Sequence, residues 1–193
     1  MEKMILTDAD GVLLNWIGAF EQWMHNHRFR KVVYDEYDID LAYGLEEWQS
    51  DKLIKQFNES ANIGHLAPYL DSVKYVKKLH EEHGYVFRVI TSLGLDPYAA
   101  KLREKNLKKL FGTAIDIVIC LDTNASKDEA LAPYADSGMF WVEDKVENAI
   151  AGAKIGLQAI LMQQGHNRHI RTEACITVVN WKEIYELITG EVA

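Results

Sequence analysis

Short apolar runs alternate with longer stretches in which apolar residues recur at helical spacing. The runs are Met4-Ile5-Leu6, Tyr85 to Ile90, Ile115 to Leu121, Met139 to Val142 and Leu157 to Met162. Each is the length of a buried strand and is bounded by polar or glycine-containing segments. Trp16 to Asn26 reads as a helix with Trp16, Phe20, Trp23 and Met24 on one side. Leu45 to Phe57 reads as a second, with Trp48 and Leu53 as apolar anchors, and Tyr69 to His83 as a third, stopped by Gly84. Arg28 to Asp40 is a polar, tyrosine-containing connection. Pro97 to Leu110 forms a basic helix whose Lys101, Arg103, Lys105, Lys108 and Lys109 read as a solvated face. A helix follows Asp144, with Ala149, Ile150 and Ala153 inward, and Trp181 to Ile188 is a terminal helix.

Strands that alternate with helices imply a parallel sheet covered on both faces. The expected fold class is therefore α/β, a doubly wound parallel sheet. About 75 residues separate the first two strands, far more than a crossover needs. The spacing divides the chain into a core, residues 1–14 and 69–193, and a small helical insertion, residues 15–68.

Composition narrows the function without choosing it. The 193 residues suffice for a substantial core, and 48% hydrophobic with 26% charged residues is ordinary for a globular chain. A net charge of −8 argues against binding a nucleic-acid polymer but not against a small nucleotide. Cys120 and Cys175 lie far apart, with neither a disulfide framework nor zinc spacing. No signal-peptide pattern or membrane-length apolar run is evident, so a cytoplasmic setting without a membrane partner is expected.

Candidate chemistry gathers at the strand ends. Thr7-Asp8-Ala9-Asp10-Gly11 follows the first strand. Two carboxylates crowded there raise the electrostatic energy unless a cation or a reaction offsets it, although acid-glycine clusters are also common turn chemistry. Thr91-Ser92 ends the second strand, Lys127 follows the third and Glu143-Asp144 ends the fourth. A carboxylate pair, a hydroxyl, a lysine and an acidic pair thus follow successive strands, where open α/β sheets bind ligands.

This ordered set resembles the haloacid dehalogenase (HAD) superfamily of phosphotransferases, from Met4 to about Met162. The resemblance implies that Asp8 is a nucleophile forming an aspartyl-phosphate and that Asp10 is the general acid and then base. An acid at position 10 matches phosphatases and phosphomutases rather than dehalogenases. Mg²⁺ is the implied cofactor, held by Asp8, the Asp10 carbonyl and Asp144. Thr91 and Lys127 complete the catalytic set, with Ser92 near the phosphate. Glu143 stands behind, toward the metal or Lys127, and Asn148 orients Asp144.

The aromatic helical insertion resembles the C1 cap of the 5′(3′)-deoxyribonucleotidases, as does Phe57 to Tyr69, the return to the core. Trp16, Phe20, Tyr43 and Trp48 are then placed to stack on a base, or to build the insertion's own core. Gly165 to His169 follows a strand end and is placed either to close the pocket or to form an ordinary polar loop. The overall pattern is also similar to HAD-type proteins of some tailed bacteriophages. The implied activity is hydrolysis of a small phosphomonoester, with a deoxynucleoside monophosphate first. A sugar-phosphate phosphatase or phosphomutase, suggested by Glu143-Asp144, and a non-catalytic HAD-fold binding module are the alternatives.

Overall fold

The computed structural model describes residues 3–192. Six parallel strands form a single sheet: β1 (Met4–Thr7), β2 (Val86–Ser92), β3 (Ile115–Leu121), β4 (Phe140–Glu143), β5 (Gln158–Met162) and β6 (Ile176–Val178). Their order is β3-β2-β1-β4-β5-β6, so the order reverses at β1. Every residue of β1 is buried, as a central strand of a covered sheet requires. The expected α/β architecture is what the chain adopts. Among the described residues no helix is long and apolar enough to cross a membrane.

Alternation along the strands sends side chains to two apolar layers. Ile5, Phe87, Val89, Val142 and Ile160 join one cluster, and Leu6, Ile90, Trp141 and Leu161 join the other. The first layer holds α4 (Ser72–His83) and α8 (Trp181–Thr189), through Val76, Leu79 and Ile184. The fully buried Trp181 also donates from Nε1 to the Val12 carbonyl at 2.8 Å. The second layer holds α7 (Val146–Lys154) against Trp141.

Between β1 and β2 lie α1 (Trp16–Asn26), α2 (Ile39–Tyr43), α3 (Glu47–Asn58) and a 3-10 turn at Ala61–His65. Phe20, Met24, Phe57 and Ile63 from these elements continue the first apolar layer, so insertion and sheet share one core. The chain leaves and returns at one neck. Leu14 bridges Pro68, Asn15 N–H donates to the Ala67 carbonyl at 2.9 Å, and Tyr69 N–H to the Leu13 carbonyl at 2.8 Å.

Local chemistry sets the helix ends. The Asn15 side chain caps α1 by accepting from Gly18 N–H. Asp96 caps α5 (Pro97–Phe111), with Pro97 at its start. Gly84 closes α4 at φ 74°, a left-handed turn that favours glycine. Three features depart from the sequence expectations. The polar connection ends in α2, β6 completes the sheet edge, and Arg103 on α5 is fully buried instead of solvated.

Candidate active site

The carboxyl ends of β1, β2 and β4 open beneath the insertion into a cavity of about 590 Å³. Asp8 directly follows β1, and its N–H still pairs with the Val142 carbonyl at 2.9 Å. The chain then turns tightly, with Leu13 and Leu14 N–H both donating to the Ala9 carbonyl. Gly11 sits at φ 72°, and a Cβ there would lie 2.1 Å from Asp144 Oδ2. Glycine thus lets the turn pass against the Asp144 carboxylate.

Asp8, Glu143 and Asp144 each present a carboxylate oxygen within 4.8 Å of the others. Lys127, which precedes α6 (Asp128–Leu131), is buried among them. Its Nζ lies 2.8 Å from Asp8 Oδ1 and 2.7 Å from Glu143 Oε2. Glu143 is the most engaged of the three. Oε2 also accepts from Asn148 Nδ2 at 3.4 Å, and Oε1 accepts from the N–H groups of Asp144 and Lys145. Asp8 Oδ1 pairs with Lys127 by charge, yet no donor among the described residues is aligned on it.

Burial raises the Asp8 carboxyl to about 7, against the pull of Lys127 and with help from Glu143 and Asp10. Burial, then Glu143 and Asp8, push Asp144 well above its ordinary value. Burial works against a charge on Lys127, but Asp8 and Glu143 together hold its ammonium above the usual lysine value. Three carboxylates thus face one lysine. That excess of hard oxygen donors fits a divalent cation, for which Asp8 and Asp144 offer the less committed oxygens.

Thr91 is fully buried at the end of β2, lines the cavity, and its Oγ1 has no partner among the described residues. An unpaired buried hydroxyl costs free energy unless something completes it, and a phosphate oxygen is a natural acceptor. Ser92 also lines the cavity, with only a long 3.4 Å contact from Oγ to the Ala125 carbonyl. Asp10 lines the cavity too, but stands apart from the three-carboxylate group and forks with Arg103.

The aromatic candidates separate. Trp16 lines the cavity, held by donation from Nε1 to Asn58 Oδ1 at 2.9 Å. Asn58 in turn donates to the Leu93 carbonyl at 3.0 Å, tying α3 to the loop after β2. Phe20 is fully buried, stacked on Trp16 at 4.7 Å, and lies behind the cavity wall. Tyr43 is buried in the same core. Trp48 is 65% exposed and does not line the cavity. Neither Phe20 nor Trp48 thus lines the cavity, because the apolar side of α1 is spent on packing and the Trp48 ring is turned to solvent.

The sequence gives no site role to Tyr37 or Arg103, and places the loop after β5 at the pocket only as one of two readings. Tyr37 lines the cavity, edge-on to His166 at 4.9 Å and with Lys145 Nζ 5.0 Å from its ring centre. Burial and the Asp144, Glu143 and Asp8 charges raise its phenol above the ordinary value. Gln164 donates to the Gly11 carbonyl at 2.6 Å and accepts from Tyr69 Oη. Asn167 donates to the carbonyls of Asp144 and Met162 at 2.7 and 2.9 Å. Through Gln164 and Asn167 the segment after β5 braces both the Gly11 turn and Asp144. Its sequence signal was only polar side chains beyond a strand end.

A family model described as 5′ nucleotidase, deoxy (pyrimidine), cytosolic type C protein matches residues 2–193. An uncharacterised 32.4 kDa protein from the Gp30-rIII intergenic region of Enterobacteria phage T4 is 32% identical over 136 residues, 67% of this chain and 48% of the relative. The chain spans about half the length of that curated relative. A haloacid dehalogenase-like family hydrolase from Streptococcus pneumoniae superimposes with a TM-score of 0.67 at 13% identity, covering 97% of this chain and 98% of that one. An L-2-haloacid dehalogenase gives 0.61 at 12% identity over 98% and 100%. A haloacid dehalogenase-like family hydrolase from Xanthomonas campestris gives 0.57 at 12% over 97% and 95%. At such identities these likenesses concern the fold, which is HAD-like.

Proposed function

The chain belongs to the 5′ nucleotidase, deoxy (pyrimidine), cytosolic type C family, and from that premise we propose that it hydrolyses small phosphomonoesters through an aspartyl-phosphate on Asp8, with deoxynucleoside monophosphates as the preferred class. One observation carries the reading. A buried nucleophile candidate, Asp8, shares Lys127 with Glu143 and faces Asp144, while the Thr91 hydroxyl beside them lacks a partner among the described residues.

In this reading the phosphate occupies the space between Asp8, Lys127 and Thr91. Lys127 neutralises negative charge and aligns Asp8. Thr91 donates to a phosphate oxygen, with Ser92 beside it. Asp8 attacks phosphorus as Asp10 gives its proton to the leaving oxygen; Asp10 then takes a proton from the water that releases phosphate and restores the Asp8 carboxylate. Asp8, Asp144 and the Asp10 carbonyl would hold Mg²⁺, which would supply charge neutralisation for the transferring group. Glu143 holds Lys127 and, through its backbone partners, the start of the turn into α7. Asn148 reaches Glu143 rather than Asp144, so it supports the site through that carboxylate. Residues 15–68 act as the cap over the leaving group, and Trp16 and Tyr37 are the aromatic surfaces offered to a base.

The test is steady-state hydrolysis with Mg²⁺ across deoxynucleoside monophosphates, sugar phosphates and para-nitrophenyl phosphate. Asp8→Asn is nearly isosteric but a poor nucleophile. Turnover of every ester should fall by at least about a thousandfold while the melting temperature holds or rises. Near-normal activity in the verified variant would remove Asp8 from this role. A preference for sugar phosphates over every nucleotide would overturn the substrate assignment and leave the hydrolase reading in place. No turnover of any ester would favour a binding module.

A further inference from the structure

Helix α5 carries a row of cations, and one of them does not behave like the rest. Lys101, Lys105, Lys108 and Lys109 are exposed, whereas Arg103 is fully buried. Arg103 shares the inward face of the helix with Ala99 and Leu107, four residues away on either side. Its guanidinium reaches the turn after β1 and grips both oxygens of Asp10, Nη1 on Oδ1 and Nη2 on Oδ2 at 3.0 Å. Nε is buried without a partner among the described residues.

A buried guanidinium is costly to desolvate, and the pair alone is weak evidence of stabilisation. What a bidentate fork supplies is geometry, because two parallel bonds fix both the position and the plane of the carboxyl group. Each carboxylate oxygen has two acceptor sites. The fork occupies one on each oxygen, and the Asp10 side chain remains 24% exposed at the cavity. The helix behind it is itself anchored, since Asn106 Nδ2 donates to the Leu66 carbonyl at 3.1 Å.

We propose that Arg103 is a positioning residue for phosphoryl transfer: its fork fixes the Asp10 carboxyl so that the remaining oxygen sites face the leaving group. The inference rests on the hydrolase reading above. As the Asp8–phosphorus bond forms and the bond from phosphorus to the leaving oxygen breaks, that oxygen takes its proton from Asp10. In the second half-reaction water adds to phosphorus, its proton passes to Asp10, and Asp8 departs as a carboxylate. Both transfers need the same carboxyl at the same place. Arg103 acts only through Asp10.

The experiment compares Arg103→Lys and Arg103→Met with wild type, each with and without Asp10→Asn. Turnover is measured with Mg²⁺ on para-nitrophenyl phosphate and on an alkyl phosphate, whose leaving group needs a proton. Lysine keeps the charge and loses the fork. Arg103→Lys should lower kcat on the alkyl ester by at least about tenfold and on the nitrophenyl ester by less than about threefold, with KM nearly unchanged. In the Asp10→Asn background it should cost nothing further. A merely structural role would lower both rates alike, or add to the Asp10→Asn loss, and either result overturns the proposal. Should Arg103→Met fail to fold, Arg103→Lys carries the comparison. A wild-type protein that turns over neither ester overturns the hydrolase reading and this inference together, whereas an active wild type with an unselective Arg103 loss overturns only the inference.

Discussion

At the scale of single residues, the site is built by close approach. Gly11 is the clearest case, because its φ of 72° and the nearby Asp144 carboxylate both exclude a side chain. Gly11→Ala adds left-handed strain on the order of 1 kcal/mol and drives a Cβ to 2.1 Å from Asp144 Oδ2. Asp144 must move, and with it the oxygens it offers to the proposed metal. The variant should therefore raise the Mg²⁺ concentration for half-maximal activity as well as lower the melting point. A titration with unchanged half-saturation would place Asp144 outside the metal site. Asp8, Lys127 and Asp144 were legible as candidates from sequence because each follows an apolar run whose direction is unambiguous. Arg103 was not. It looked like one more cation among lysines, and only its spacing of four from Ala99 and Leu107 placed it on the buried face.

At the scale of elements, helices are held by shape as much as by area. In α7, Gly152 lets the helix approach Trp141 of β4, where an added Cβ would sit 2.4 Å from Cδ1 and 3.1 Å from Nε1. Trp141 cannot easily yield, being fully buried with Nε1 donating to the Asn148 carbonyl at 3.1 Å. Alanine gains about 1 kcal/mol in helix propensity, but overpacking costs about 1–3 kcal/mol. Gly152→Ala should thus be destabilising in chemical denaturation; a stabilised variant would mean that α7 can slide. In the insertion, Trp16 and Trp48 give opposite expectations. Trp16→Leu should raise KM for deoxynucleotides by about tenfold if the ring stacks on a base, since such stacking is worth roughly 1–3 kcal/mol. It should scarcely change KM for esters without a ring. Trp48→Ala should leave both KM values alone. Equal losses on both substrates in a folded Trp16 variant would assign that ring to packing. The amphipathic pattern of α1 was readable, but not which aromatic meets the cavity, because packing and stacking demand the same side chains.

For the whole molecule, the order of strands and helices was visible because buried parallel strands are continuous apolar runs, as in Ile115–Leu121. β6 escaped because it is a three-residue edge strand with only Val178 buried. The brace from Gln164 and Asn167 escaped because it is a tertiary arrangement of side-chain amides around backbone carbonyls. What sequence also hides is the energetic burden of the site. Asp8 is raised from 3.8 to about 7, and Asp144 moves in the same direction. A carboxyl that is harder to ionise when folded contributes stability below its unfolded value, near pH 4, and loses it as pH rises through about 7. Without a divalent cation, the site should therefore weaken the fold between about pH 4 and pH 7, opposite to the trend of an acid whose ion pair outweighs its burial. A bound cation favours the ionised carboxylates and offsets that burden. Thermal melting in Mg²⁺ and in chelator, from pH 5 to pH 8, checks the argument. The Mg²⁺-dependent rise in melting temperature should be small at the acid end and grow toward pH 8. A rise independent of pH would place the cation away from Asp8 and Asp144. With Asp8→Asn, which cannot ionise, the metal-free protein should lose much of its pH dependence and the Mg²⁺ effect should shrink with it.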